Sequence, residues 1–161
     1  MITIATLMIL LHFSEAEIRP LSVTSEAFKN NGKIPREYSC QGKEVNPPLA
    51  ISNIPGEAKS LVLIVEDPDA PKGVFDHWVM WNIPNGSIAE NSAPGVEGSN
   101  SAGSKKYKGP CPPNGKHRYF FKVYAIDILL DLPAGSAKMT VLESIKGHIV
   151  AQGELVGTYE N

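Results

Sequence analysis

The run Ser60 to Glu66 (SLVLIVE) is β-branched and leucine-rich, with Pro55-Gly56 before it and Asp67-Pro68 after it. Such a pattern predicts a strand buried on both faces, the natural centre of a sheet. His77 to Ile83 (HWVMWNI), closed by Pro84-Asn85-Gly86, predicts a second strand that a histidine opens. From Arg118 to Asp127 the pattern alternates, with Tyr119, Phe121, Val123 and Ala125 on one face and Phe120, Lys122, Tyr124 and Ile126 on the other. A strand near the sheet centre, largely covered on both faces, is expected there. Thr140 and Glu143 have capping-box spacing, and Val141, Ile145 and Ile149 recur at four-residue steps, which predicts a helix over Thr140 to Ile149 with Gly147 weakening its last turn. Val150 to Tyr159 predicts a last strand, interrupted by Gly153 and Gly157.

Between these elements the chain is full of breakers. Asn30-Asn31-Gly32, Ile34-Pro35, Gln41-Gly42 and Pro47-Pro48 leave room only for short strands in the first third and for no helix. From Gly86 to Pro113 the residues are mostly Gly, Ser, Asn, Pro and Lys, which predicts a long surface excursion of the kind that carries function in a compact domain. Several strands first and a short helix late make a mainly antiparallel β-sandwich the natural architecture.

Composition adds limits. A chain of 161 residues with 42% hydrophobic positions is one domain with a core of its own, and its 14 glycines and 13 prolines fit many turns and short elements. Fifteen basic against 17 acidic residues give a net charge of −2, so no global field recruits nucleic acid. Residues Ile2 to Phe13 are mostly apolar and are followed by Ser14-Glu15-Ala16, similar to the end of a secretory signal, but no Lys or Arg precedes Arg19. Residues 1–16 are therefore read either as a cleaved signal or as a segment docked on the domain that spans 17–161. The first reading implies an exported or periplasmic protein, the second a cytoplasmic one. The run is too short for a spanning helix, and the rest of the chain has none.

Two cysteines, Cys40 and Cys111, lie far apart and form no C-x-x-C pair, which removes zinc-ribbon and thioredoxin readings and leaves two buried thiols or one bridge. There is no G-x-S-x-G, H-E-x-x-H, P-loop or G-x-G-x-x-G, and no motif calls for a cofactor. What remains is a set of chain-distant polar groups. Asp67-Pro68-Asp69-Ala70-Pro71 follows the buried strand, and His77 and His117 each stand at a strand start. Asp67 and Asp69 are read either as turn caps or as a carboxylate that orients a histidine. Asp67, His77 and His117 could also ligate zinc or iron, and Cys111 could act as a nucleophile near His117, although prolines box it in. Imidazoles, a Tyr hydroxyl and a Gly N–H can together converge on an anionic oxygen. No acid occurs between Glu97 and Asp127, whereas Lys105, Lys106, Lys108, Lys116, Arg118 and Lys122 do, so the region is read as locally basic or simply as a solubilising surface.

The strings D-P-D-A-P at Asp67 to Pro71, H-W at His77-Trp78, G-P-x-P-P-x-G-x-H-R-Y from Gly109 to Tyr119 and G-H-I at His148 resemble the phosphatidylethanolamine-binding proteins, also called Raf kinase inhibitor-like proteins. Tyr38-Ser39-Cys40 and Gly109-Pro110-Cys111 are similar to the bacterial and archaeal branch. The resemblance runs from about Leu21 to Tyr159. It implies a Greek-key β-sandwich, a large sheet packed on a smaller one with one or two short helices late, and a small anion pocket at one end. It also implies a cis Ala70–Pro71 bond. By motif, Asp67 and His77 would line the pocket, Gly109 would bring a backbone donor with Pro110 beside it, His117 and Tyr119 would complete the wall, and Asp69 would support it. Cys111 departs from the animal proteins, as does the absence of their longer carboxy-terminal helix.

These readings converge on a binding protein, not an enzyme, for a small phosphorylated or carboxylate ligand such as a phospholipid headgroup, acting as a monomer or homodimer without nucleic acid. The alternative, of a different class, is an inhibitor that engages a kinase or serine protease through its loops.

Overall fold

The computed structural model describes residues 18–161, and the apolar segment expected over 1–16 lies outside them. The strands are β1 (Arg19–Pro20), β2 (Ser22–Thr24), β3 (Gly32–Lys33), β4 (Ala50–Ser52), β5 (Ser60–Asp67), β6 (Phe75–Ile83), β7 (Val96–Glu97), β8 (Lys116–Ile126) and β9 (Ile149–Glu160). One sheet has the order β1-β9-β8-β5-β6-β7, with β3 also on β9, and β2 and β4 form a second, two-stranded sheet. Strands β8-β5-β6-β7 are antiparallel neighbours in the 4-1-2-3 order of a Greek key. The large sheet is nevertheless mixed, because both β1 and β3 run parallel to β9. Those strands are two residues long and come from the turn-rich first third, where strand direction left no trace in the pattern.

β5 is central, as its sequence predicts. Leu61, Leu63 and Val65 enter a core with Trp78, Met80, Phe121 and Val123, on the face toward the small sheet. Val62 and Ile64 enter a second core on the other face, with Val79, Trp81, Val141 and Ile145. β8 is less covered than its alternation suggests. His117, Tyr119, Phe121, Val123 and Ala125 are buried, whereas Arg118 is exposed and Phe120, Lys122 and Tyr124 are only half-buried.

The helix α1 spans Lys138–Ser144, starting two residues before the expected Thr140 and ending well before Ile149. Its N-cap is Ala137, without a side-chain cap, so Thr140 and Glu143 form no capping box. Tertiary contacts set the start instead: Ala137 bridges to Ser99, and Lys138 is tied to Glu66 and Asp76. The first third, expected to hold no helix, has one 3-10 turn at Arg36–Tyr38. β9 runs unbroken through Gly153, where a Cβ would stand 2.4 Å from the Leu21 carbonyl, so this glycine admits a crossing segment and does not end the strand. No peptide bond among the described residues is cis, Ala70–Pro71 included. The reversal there is made by the Gly73 N–H donating to the Ala70 carbonyl at 3.2 Å, with Gly73 at φ +100.

Candidate functional site

β5 ends, and β6 and β8 begin, at one edge of the large sheet, and the loop before β8 folds over that edge. A cavity of about 150 Å³ lies between them. Its polar wall is made by Asp67, His77, His117 and Tyr119, and Gly109 closes one side. Phe75, Pro71, Pro112 and Pro113 make the apolar remainder.

Asp67 continues the inward row of Leu61, Leu63 and Val65, and His117 and Tyr119 open the inward row of β8, so strand alternation delivers three of the four polar groups. His77 arrives differently. By alternation it belongs with Val79 and Trp81 on the opposite face. The β5–β6 register, however, shifts between Val65↔Trp78 and Glu66↔Asp76, which makes His77 the extra residue of a bulge. The bulge turns its ring inward, a common use of bulges beside functional sites.

Asp67 is 3% exposed and both carboxylate oxygens are engaged. Oδ1 accepts the Asp69 N–H at 2.8 Å, and Oδ2 accepts Nδ1–H of His117 at 2.7 Å. His77 donates Nδ1–H to the Lys108 carbonyl at 2.7 Å. A carbonyl only accepts, so this contact fixes the His77 tautomer, as the carboxylate fixes that of His117. In both rings Nε2 is the nitrogen left to the cavity. Burial lowers the pKa of His77, outweighing the opposing pull of the Lys108 carbonyl and the Asp67 carboxylate. Tyr119 is 1% exposed, and its hydroxyl proton finds no acceptor among the described residues, while the Cys111 backbone N–H faces its oxygen. Burial and the Asp67 carboxylate raise its pKa far above the ordinary phenol range, so it stays a neutral donor. Its ring packs edge-on to His77, with centroids 5.2 Å apart.

Three further expected residues frame the cavity and are not part of its polar side-chain wall. Asp69 faces away from the cavity and clamps Arg118, accepting from Nε at 2.9 Å and Nη2 at 2.7 Å, which lowers its pKa to about 2. The Pro110 carbonyl accepts the Cys40 N–H at 3.1 Å. Gly109 lies on the Tyr38–Ser39 backbone so closely that a Cβ would sit 2.6 Å from the Tyr38 carbonyl, so no larger residue fits that wall. A disulfide joins Cys40 to Cys111, with Cα atoms 5.5 Å apart, and Cys111 itself lines the cavity.

Half of the basic stretch is answered from outside it, by Lys108–Glu44, Arg118–Asp69 and Lys122–Glu66 pairs. Among the described residues no group of three or more His, Cys, Asp or Glu side chains is placed to hold a metal ion. Nor, among them, is any helix long and apolar enough to cross a membrane. Sequence reasoning missed Phe75, which shares the outward parity of His77 and reaches Asp67 only because the bulge shifts the register, and the Lys108 carbonyl, which had no signal at all.

Comparison with known proteins identifies the family of the chain. The chain is 47% identical over 150 residues to a UPF0098 protein of Chlamydia trachomatis, covering 87% of this chain and 99% of the relative. It is 45% identical over 148 residues to one of Methanothermobacter thermautotrophicus, covering 86% and 98%. The crystal structure of CT736 from Chlamydia trachomatis, described as a phosphatidylethanolamine-binding protein homologue, superposes with a TM-score of 0.86 at 46% identity, covering 89% of this chain and 99% of that one. Escherichia coli YbcL, described as a member of the mammalian family of these proteins, gives 0.80 at 27% identity, covering 88% and 98%. The family model for phosphatidylethanolamine-binding proteins matches residues 24–160, and the chain belongs to that family.

Proposed function

We propose that this protein captures a phosphoryl or carboxylate group in the cavity at the β5, β6 and β8 edge, and that it binds its ligand without breaking a bond. The observation that carries this reading is the Tyr119 hydroxyl, buried at the wall of a cavity, whose proton has no acceptor among the described residues. A buried donor left unsatisfied costs about 1–3 kcal/mol, a cost that a ligand oxygen would remove. Nε2 of His117 is aimed at the same space, with the Asp67 carboxylate behind the ring on Nδ1. The apolar remainder of the wall keeps water from competing for these few donors.

The test is thermal unfolding with and without inorganic phosphate. The native protein should gain stability as phosphate saturates the site. His117→Asn retains an amide N–H toward Asp67 but removes Nε2, and should lose that gain. Tyr119→Phe should lose much of it while leaving the phosphate-free melting temperature unchanged or slightly higher. Capture should strengthen as pH falls through the range in which imidazoles and phosphate take up protons. An unchanged phosphate shift in both variants, or an affinity flat from about pH 5 to 8, would remove the proposal.

A further inference from the structure

We infer that His77 is a hydrogen-bond acceptor within the cavity, so that the preferred ligand is a terminal phosphoryl group carrying one proton, a phosphomonoester monoanion, over sulfate esters and phosphodiesters. The inference rests on the anion-capture reading above and narrows it to a chemical class.

The argument begins with the Lys108 carbonyl. Because it accepts from Nδ1 at 2.7 Å, the neutral ring has its lone pair on Nε2, toward the cavity. The ring cannot readily turn over to reverse this. It is 5% exposed, packed between Phe75 at 4.8 Å and Tyr119 at 5.2 Å between centroids, and a flip would surrender the carbonyl bond. The charged groups around it are Asp67 from β5, Asp76 from β6 and Lys108 from the covering loop, and burial outweighs them in favouring the neutral ring. The site therefore contains unlike partners: a neutral phenol donor at Tyr119, an imidazole at 117 with a carboxylate behind it, and an acceptor at 77.

An anion with no proton turns lone pairs toward the Nε2 lone pair. A phosphomonoester with one proton donates its P–OH to Nε2 while its other oxygens accept from Tyr119 and His117. A carboxylate or a phosphodiester, the linkage of a phospholipid, carries no such proton near neutral pH. Unpaired polar groups of this kind cost enough to change affinity roughly ten- to a hundredfold.

The deciding experiment uses three small monoanions on the whole protein at about pH 5.5, where a phosphomonoester with a second pKa near 6 holds its proton. Methyl phosphate, methyl sulfate and dimethyl phosphate then have equal charge, and only the first has a P–OH. Calorimetry should show methyl phosphate bound roughly ten- to a hundredfold more tightly than the other two. Inorganic phosphate should group with methyl phosphate, which shows that the ester is not needed. His77→Asn replaces the Nδ1–H donor with an amide N–H toward Lys108 and removes the acceptor, so in this variant the three anions should bind alike. Equal binding of the three by the native protein would overturn the inference and leave anion capture standing. Binding of none would overturn both. Should His77→Asn not fold, the comparison on native protein decides alone.

Discussion

A single carbonyl decides what one histidine does here. His77 and His117 share a cavity, but one is held by a backbone oxygen and the other by a carboxylate, so the same residue type acquires two chemistries. The buried, neutral state of His77 also links stability to pH. In the unfolded chain this ring takes up its proton near its ordinary value of about 6.5, whereas in the folded protein it does so only at lower pH. Between the two values the unfolded state binds more protons, so stability falls as pH drops below about 6.5. Melting curves from about pH 7.5 to 4.5 should show this decline, and His77→Asn should flatten part of it. At this scale the sequence displayed Asp67, His117 and Tyr119 well, because strand parity and motif agreed on them. His77 was legible by motif only, since parity places it on the wrong face. The Lys108 carbonyl was not legible, because a backbone atom in an irregular loop leaves no mark in a pattern of side chains.

The bulge that turns His77 inward is held from the far face of the sheet. Glu66 and Asp76 flank it in register, and both carboxylates converge on Lys138, the first residue of α1, with Lys122 completing the group at 2.5 Å from Glu66. This explains why α1 begins at Lys138 and not at Thr140: an ion-pair anchor outweighs a capping box whose worth is about 1 kcal/mol. The helix itself is short, and periodicity overestimated its length because Gly147, at φ +77, ends the following turn before Ile149 joins β9. Lys138→Met should leave two mostly buried carboxylates facing each other. Chemical denaturation should register a loss of about 2 kcal/mol, less than the 3–5 of a fully buried pair because the group retains some water. Phosphate-dependent stabilisation should weaken with it. Lys146→Met, at an exposed pair between the turn after α1 and Glu143, should cost less than about 0.5 kcal/mol in the same assay.

Across the whole molecule, the strongly patterned strands formed where alternation and apolar runs placed them, and the turn-rich third formed what no pattern could specify, two short parallel pairings and a small sheet. That third nevertheless supplies the other half of the disulfide. Cys40 reaches across 71 positions to Cys111, so the loop covering the cavity is fastened to the chain's opening segment and not only to its own neighbours. Closing a loop of this length is worth about 4 kcal/mol in the chain-entropy account. Cys40→Ser with Cys111→Ser should therefore lower the denaturation free energy by up to that amount. Addition of a strong reductant should move the native protein toward the same value and leave the double variant unmoved. The fastening has a practical side: a titration run with dithiothreitol in the cell and one run without it sample two different lids over one notch, and their dissociation constants belong on separate axes.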